Sequence, residues 1–153
     1  MRYRDMDLLL IEDDESFAFS VAEYVTDRGY NLTVVNEGRK GVDEAKKGYG
    51  CILLDLGLPD VDGIKLIPKL RELSVPAPII VLTGRDDAST AVEAIRSGAY
   101  DYITKPVDLE ELVLTLTRAE AMLSLQDKIS FLEAKEEFVL IGQSKPIGEL
   151  KKL

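Results

Sequence analysis

The chain has 153 residues, 46% of them hydrophobic, with a formal net charge of −9 and no histidine. That length suits one domain of roughly 100–150 residues plus an appendage. The missing histidine excludes a Ser-His-Asp triad, histidine-ligated zinc and a phosphohistidine formed within the chain, while the acidic surface repels DNA, RNA and anionic lipid, so no direct nucleic-acid contact is expected.

Asp7-Leu8-Leu9-Leu10-Ile11 is a short apolar run cut off by Glu12-Asp13-Asp14-Glu15, the pattern of a strand buried on both faces. Residues 16–28 place Phe17, Val21, Tyr24 and Val25 on one helical face, and Gly29 stops the helix. Residues 32–35 form the next strand, residues 38–47 a weaker helix closed by Gly48, and Cys51-Ile52-Leu53-Leu54 a strand ending at Asp55. A loop over 57–63 leads to a helix over 64–73, in which Pro68 is awkward because it cannot donate a backbone hydrogen bond. A strand over 78–82 ends at Thr83-Gly84, and a helix over 88–97 is closed by Gly98. A fifth strand over 100–103 ends at Thr104-Lys105-Pro106, and a long helical pattern starts near Asp108. Strands alternating with helices predict a (βα)5 doubly wound parallel sheet, followed by a long linker helix.

In such sheets ligands sit at the carboxyl ends of the strands, near the point where strand order reverses. The polar residues at those ends are Glu12, Asp13, Asp55, Thr83 and Lys105. Taken singly each has an ordinary explanation. Asp13, Asp14 or Ser16 can cap the following helix, and Asp55 can be a turn acid, as Asp60 and Asp62 before Gly63 are read to be. What sets the five apart is that they fall at the same end of successive strands. Carboxylates about 4 Å apart repel by about 1 kcal/mol per pair in water, and by more in a lower dielectric. A fold keeps such a cluster when a cation balances it, and an all-oxygen donor set points to a hard ion, Mg²⁺. Carboxylate nucleophile, Mg²⁺, lysine and hydroxyl together suit phosphoryl transfer.

Four segments carry a resemblance to response-regulator receiver domains over about residues 7–123. They are Leu8-Leu9-Leu10-Ile11-Glu12-Asp13-Asp14, Leu53-Leu54-Asp55-Leu56-Gly57-Leu58-Pro59-Asp60-Val61-Asp62-Gly63, Val81-Leu82-Thr83-Gly84, and the run over 98–106 ending in Thr104-Lys105-Pro106. The resemblance implies a flavodoxin-like fold in which Asp55 is the phosphoacceptor, charged by a partner histidine kinase. It implies Mg²⁺ on Asp13, on Glu12 directly or through water, on Asp55 and on the backbone carbonyl of Gly57. Thr83 and Lys105 would hold the phosphoryl oxygens, Tyr102 would be the switch aromatic that follows Thr83, and the Lys105-Pro106 bond would be cis. Glu12 departs from the aspartate common in this family, which affects ligation geometry. Gly57 and Arg85 fall at positions that vary in the family and influence water access. Such a domain is a phosphoswitch and not an enzyme that turns over substrate. A Mg²⁺-dependent phosphatase of the haloacid dehalogenase class would instead show an Asp-x-Asp pair, whereas Leu56-Gly57 follows Asp55.

From Asp108 the helical pattern runs to about Glu137 without Gly or Pro. Leu109, Leu112, Leu116, Ala119 and Leu123 make one apolar stripe. Met122, Leu125, Ile129 and Leu132 then alternate at four and three residues, the spacing of a short coiled-coil seam. The alternative is a helix folded back on its own domain. A homodimer is the expectation, because an extended helix beyond the domain has nothing else to bury its stripe. Phe138-Val139-Leu140-Ile141-Gly142-Gln143-Ser144, followed by a helical pattern, resembles the start of the ATPase domain of sigma-54-dependent enhancer-binding activators. The expected organisation is a receiver domain over 1–123, a helical linker over 124–140, and the beginning of a downstream ATPase domain over 141–153, with no ATPase activity here because the Walker A motif is absent. No run approaches the roughly 20 apolar residues that cross a bilayer, the N-terminus does not read as a signal peptide, and the single Cys51 lies in an apolar run. A cytoplasmic location without membrane contact is expected.

Overall fold

Five short strands pair in parallel in the computed structural model of the chain, which describes residues 6–74, 77–84 and 88–143. The strands are β1 (Asp7–Ile11), β2 (Asn31–Val35), β3 (Cys51–Leu54), β4 (Ile79–Thr83) and β5 (Asp101–Thr104). Between and after them run α1 (Glu15–Asp27), α2 (Gly38–Ala45), α3 (Gly63–Ser74), α4 (Ala88–Ser97) and α5 (Leu109–Gln143). The strand order is β2-β1-β3-β4-β5. The order reverses between β1 and β3, because the chain leaves β1 toward β2 on one side and returns to β3 on the other.

Apart from Asp7 at the start of β1 and Thr83 at the end of β4, the central strands are hydrophobic because both faces are covered. Leu9, Ile11, Ile52, Leu54, Ile79 and Val81 face one layer, packed by Ala45 of α2, Ile67 and Leu70 of α3, and Ala94 of α4. The alternate residues Leu8, Leu10, Cys51, Leu53, Ile80 and Leu82 face the other layer, packed by Val21 and Val25 of α1 and by Leu112 and Leu116 of α5. Each fully buried leucine or isoleucine of this set contributes roughly 1.5–3 kcal/mol.

Helix ends follow local chemistry. Asp14 caps α1, its carboxylate accepting the backbone N–H of Phe17, so of the three capping candidates Asp14 takes the role. Gly29 and Gly98 hold positive φ values of 95° and 121° after α1 and α4, a conformation that side-chain-bearing residues reach only with strain. Pro68 sits within α3 on its exposed side and does not end the helix.

The chain forms two units, Met1–Ala119 and Glu120–Leu153. Helix α5 begins in the first and continues into the second. It runs to Gln143, past the end expected near Glu137. No glycine or proline precedes Gly142 in this stretch, and β-branched or aromatic residues such as Phe138 and Val139 cost a helix well under 1 kcal/mol each. The expected start of the next domain therefore falls partly in the last turn of α5, and residues 144–153 lie outside the described residues. Among the described residues no helix is long and apolar enough to cross a membrane.

Candidate functional site

Parallel pairing aligns the strand exits. The N–H of Glu12, just past β1, donates to the Val35 carbonyl at 2.9 Å. The N–H of Asp55, just past β3, donates to the Ile11 carbonyl at 3.0 Å, setting Asp55 beside Glu12 at the reversal point. On the far side the Lys105 N–H donates to the Thr83 carbonyl at 2.7 Å, tying the exit of β5 to that of β4. The sequence-selected residues thus come together at one edge of the sheet.

Glu12, Asp13 and Asp55 each present a carboxylate oxygen, all within 4.8 Å of one another. Glu12 and Asp55 are buried, at 2% and 6% exposure, and Asp13 is exposed. Lys105 Nζ lies 2.8 Å from Glu12 Oε1 and 3.6 Å from Asp55 Oδ1. The other Glu12 oxygen accepts the Asp14 N–H at 3.1 Å. Burial raises the Glu12 carboxyl above its ordinary range, the hydrogen bonds from Lys105 and Asp14 oppose this, and the Asp55 charge adds to it. Burial disfavours the Lys105 ammonium, but the hydrogen bond to Glu12 and the charge of Asp55 outweigh it and hold the lysine above its ordinary value. Three carboxylates against one ammonium leave two negative charges in excess. An all-oxygen donor set of this size, with that excess, fits a divalent hard cation.

Thr83 is buried at the end of β4, at 2% exposure. Tyr102 is half-buried on β5 and packs against the layer formed by α2, α3 and α4, its hydroxyl oxygen shielded from solvent. Gly57 lies in the loop after β3 in an isolated bridge with Asp62. A Cβ on Gly57 would stand 3.9 Å from Asp55 Oδ2, so this loop runs close by the carboxylate. The Lys105–Pro106 peptide is cis. Arg85 lies outside the described residues. Met122, Leu125, Ile129 and Leu132 fall in the later part of α5, where Leu125, Ile129 and Leu132 are exposed.

Two contacts escaped the sequence reading. Phe17, in the first turn of α1, lies under Lys105, with Nζ 4.5 Å from the ring centroid. Its place three residues after a capping aspartate was the available signal. Asp60 is more than a turn acid. Its carboxylate accepts the N–H of Gly38 at 2.8 Å and of Arg39 at 3.0 Å, capping α2 across the chain, while Glu37, the local cap position, makes no such bond. Asp62 does serve its own turn, accepting the Ile64 N–H at 3.1 Å at the start of α3.

A doubly wound sheet with an acidic crevice and a lysine beside its reversal point places the chain among α/β domains whose polar site lies at the carboxyl ends of the strands. Residues 8–117 match the response regulator receiver domain family, and the chain belongs to that family. It is 28% identical over 151 residues to the transcriptional regulatory protein ZraR of Escherichia coli K12, covering 98% of this chain and 34% of ZraR. The chain thus spans about a third of that relative's length. A response regulator from Burkholderia pseudomallei, solved with a phosphorylated aspartic acid and a calcium ion, superposes with a TM-score of 0.71 at 28% identity, over 91% of this chain and 85% of the other. The beryllofluoride-activated NtrC4 receiver domain dimer superposes with a TM-score of 0.72 at 32% identity, over 76% of this chain and 97% of the other.

Proposed function

We propose that this chain is the phosphorylation-controlled regulatory domain of a two-component response regulator and that Asp55 is its phosphoacceptor. The observation that carries the reading is the convergence of Glu12, Asp13, Asp55 and Lys105 at one strand edge. An Asp55 carboxylate oxygen attacks the phosphorus of a phosphohistidine on a partner kinase. A P–O bond forms, the P–N bond breaks, and its electron pair leaves with the imidazole, which takes a proton from solvent. Glu12, Asp13, Asp55 and the Gly57 carbonyl are the groups that would hold Mg²⁺, which supplies charge neutralisation when bound. Lys105 stands ready to pair with the incoming phosphoryl oxygens.

The aspartyl phosphate carries roughly two negative charges and three strong acceptor oxygens. A charge-assisted hydrogen bond from the Thr83 hydroxyl is worth about 1.5–3 kcal/mol, enough to shift a two-state equilibrium tenfold or more. Tyr102, on the neighbouring strand, follows Thr83 and relays the change to the surface made by α4, β5 and α5. The output is dimerisation or a change in the linker helix. The exposed Leu125, Ile129 and Leu132 support a seam with a second copy of the chain. The domain catalyses only its own loading and unloading.

In the longer protein this segment controls a downstream sigma-54 activator ATPase, with the receiver over 1–123, the linker over 124–140 and the next domain from 141. The ZraR match supports this, because it runs through nearly the whole tail and this chain spans only part of that regulator. A cytoplasmic location without membrane or nucleic-acid contact follows from the same reading. Sedimentation of the chain with and without Mg²⁺ and beryllofluoride tests it. A shift in association state is expected for the wild type and not for Asp55→Asn, and an unchanged wild type would contradict the coupling.

A further inference from the structure

We infer that Phe17 is a positioning residue for Lys105, its ring holding the ammonium beside Asp55 and so speeding phosphoryl loading. This rests on the reading of Asp55 as phosphoacceptor. Lys105 Nζ stands 4.5 Å from the centroid of the Phe17 ring, within the roughly 6 Å over which a ring's quadrupole attracts a cation. The start of α1 that carries the ring is pinned. Phe17 is half-buried against the layer packed by α1 and α5. Its N–H donates to Asp14 Oδ1 at 3.1 Å, the Asp14 N–H donates to Glu12 Oε2 at 3.1 Å, and Glu12 Oε1 accepts from Lys105 at 2.8 Å. The contacts close a circle from metal-site carboxylate to helix cap to aromatic ring to lysine.

The circle answers a specific difficulty. A lysine ammonium rides on a flexible four-carbon stem, so attraction from one side leaves it many positions. Here the nearer carboxylate is Glu12, and Asp55, where charge arrives, is 3.6 Å away. Moving toward a phosphoryl group on Asp55 requires the ammonium to turn from Glu12 without swinging into solvent. A ring face attracts the cation without taking up any of its three N–H donors, so the lysine pivots across it while remaining held. An aliphatic side chain of similar volume at position 17 fills the space and exerts no such attraction.

The experiment compares wild type, Phe17→Leu and Phe17→Tyr by two readouts. The first is the initial rate at which acetyl phosphate with saturating Mg²⁺ labels the chain, with Asp55→Asn as the blank. The rate is expected to fall about two- to fivefold in Phe17→Leu and to be restored in Phe17→Tyr. The second is the NMR shift of the Lys105 ε-methylene protons without metal or phosphodonor. Ring current moves them upfield in wild type and Phe17→Tyr, and they return to the ordinary lysine position in Phe17→Leu. A Phe17→Leu chain that labels at the wild-type rate, or a wild-type lysine signal with no upfield shift, overturns the inference. A wild type that shows the shift but takes no label overturns the Asp55 reading and the link to loading with it, while the ring–lysine contact stands.

Discussion

Lys105 is paired first with Glu12, 2.8 Å from its Oε1, and only then with Asp55, 3.6 Å from its Oδ1. The lysine therefore compensates the most deeply buried carboxylate of the crevice and leaves the others in excess. That imbalance drives the behaviour proposed for the site.

The first consequence concerns stability. Removing one negative charge from a crowded set relieves repulsion on the order of 1 kcal/mol. Asp55→Asn is expected to raise the melting temperature of the metal-free protein by about 2–4 °C. Mg²⁺ should then stabilise the wild type more than the variant. Thermal melts with and without Mg²⁺ check both, and a variant that melts below the metal-free wild type would contradict the charge argument.

Thr83 lies buried at the end of β4, next to the strand that carries Tyr102. Thr83→Ala is expected to leave Asp55 able to accept phosphoryl but to reduce the coupling to association by tenfold or more, corresponding to a lost hydrogen bond of about 1.5–3 kcal/mol. Labelling and sedimentation measured on the same samples separate the two effects. Equal losses of both would assign Thr83 to loading instead of switching.

Gly63 starts α3 where its chain crosses the loop after Asp55. A Cβ there would stand 2.6 Å from Leu56 Cα and 2.8 Å from the Asp55 carbonyl oxygen, both backbone atoms. Gly63→Ala is expected to destabilise the fold by about 1–3 kcal/mol or more and to disturb the backbone of Asp55 itself. Urea unfolding reads the first effect. A fully stable Gly63→Ala protein would show that α3 can move away freely.

Asp60 carries a pH signature. The N–H groups of Gly38 and then Arg39 hold its carboxyl below the ordinary value of 3.8. An acid depressed in the folded state contributes stability that is fully present above its unfolded value and is lost as pH falls through the folded one. The stability gap between wild type and Asp60→Ala is expected to hold steady from about pH 7 to 5 and to narrow as pH drops below 3.8. Urea melts of the pair across that range test it, and a gap that widens toward acid would contradict the cap.

Much of this was legible in the sequence, for physical reasons. Apolar runs such as Leu8-Leu9-Leu10-Ile11 and Cys51-Ile52-Leu53-Leu54 end in acids, and a strand buried on both faces ends where its hydrophobic run ends. Parallel order then dictates that Glu12, Asp55, Thr83 and Lys105 share one edge, and the pairing registers place them there. The relations that escaped are those between side chains distant in sequence. Asp60 capping α2 depends on how the loop after β3 lies against that helix, and Phe17 meeting Lys105 depends on the pitch of α1 over the β5 exit. Neither leaves a periodic trace. The extension of α5 to Gln143 escaped because Phe138 and its neighbours resemble the opening of a new segment while costing the helix little.

The most direct measurement is incubation of the chain with Mg²⁺ and a small acyl phosphate, followed by peptide mass spectrometry of the borohydride-trapped product. The account predicts a single modified site, Asp55, requiring Mg²⁺ and absent in Asp55→Asn. A chain that stays unlabelled, or that carries its phosphoryl group on another residue, would contradict it.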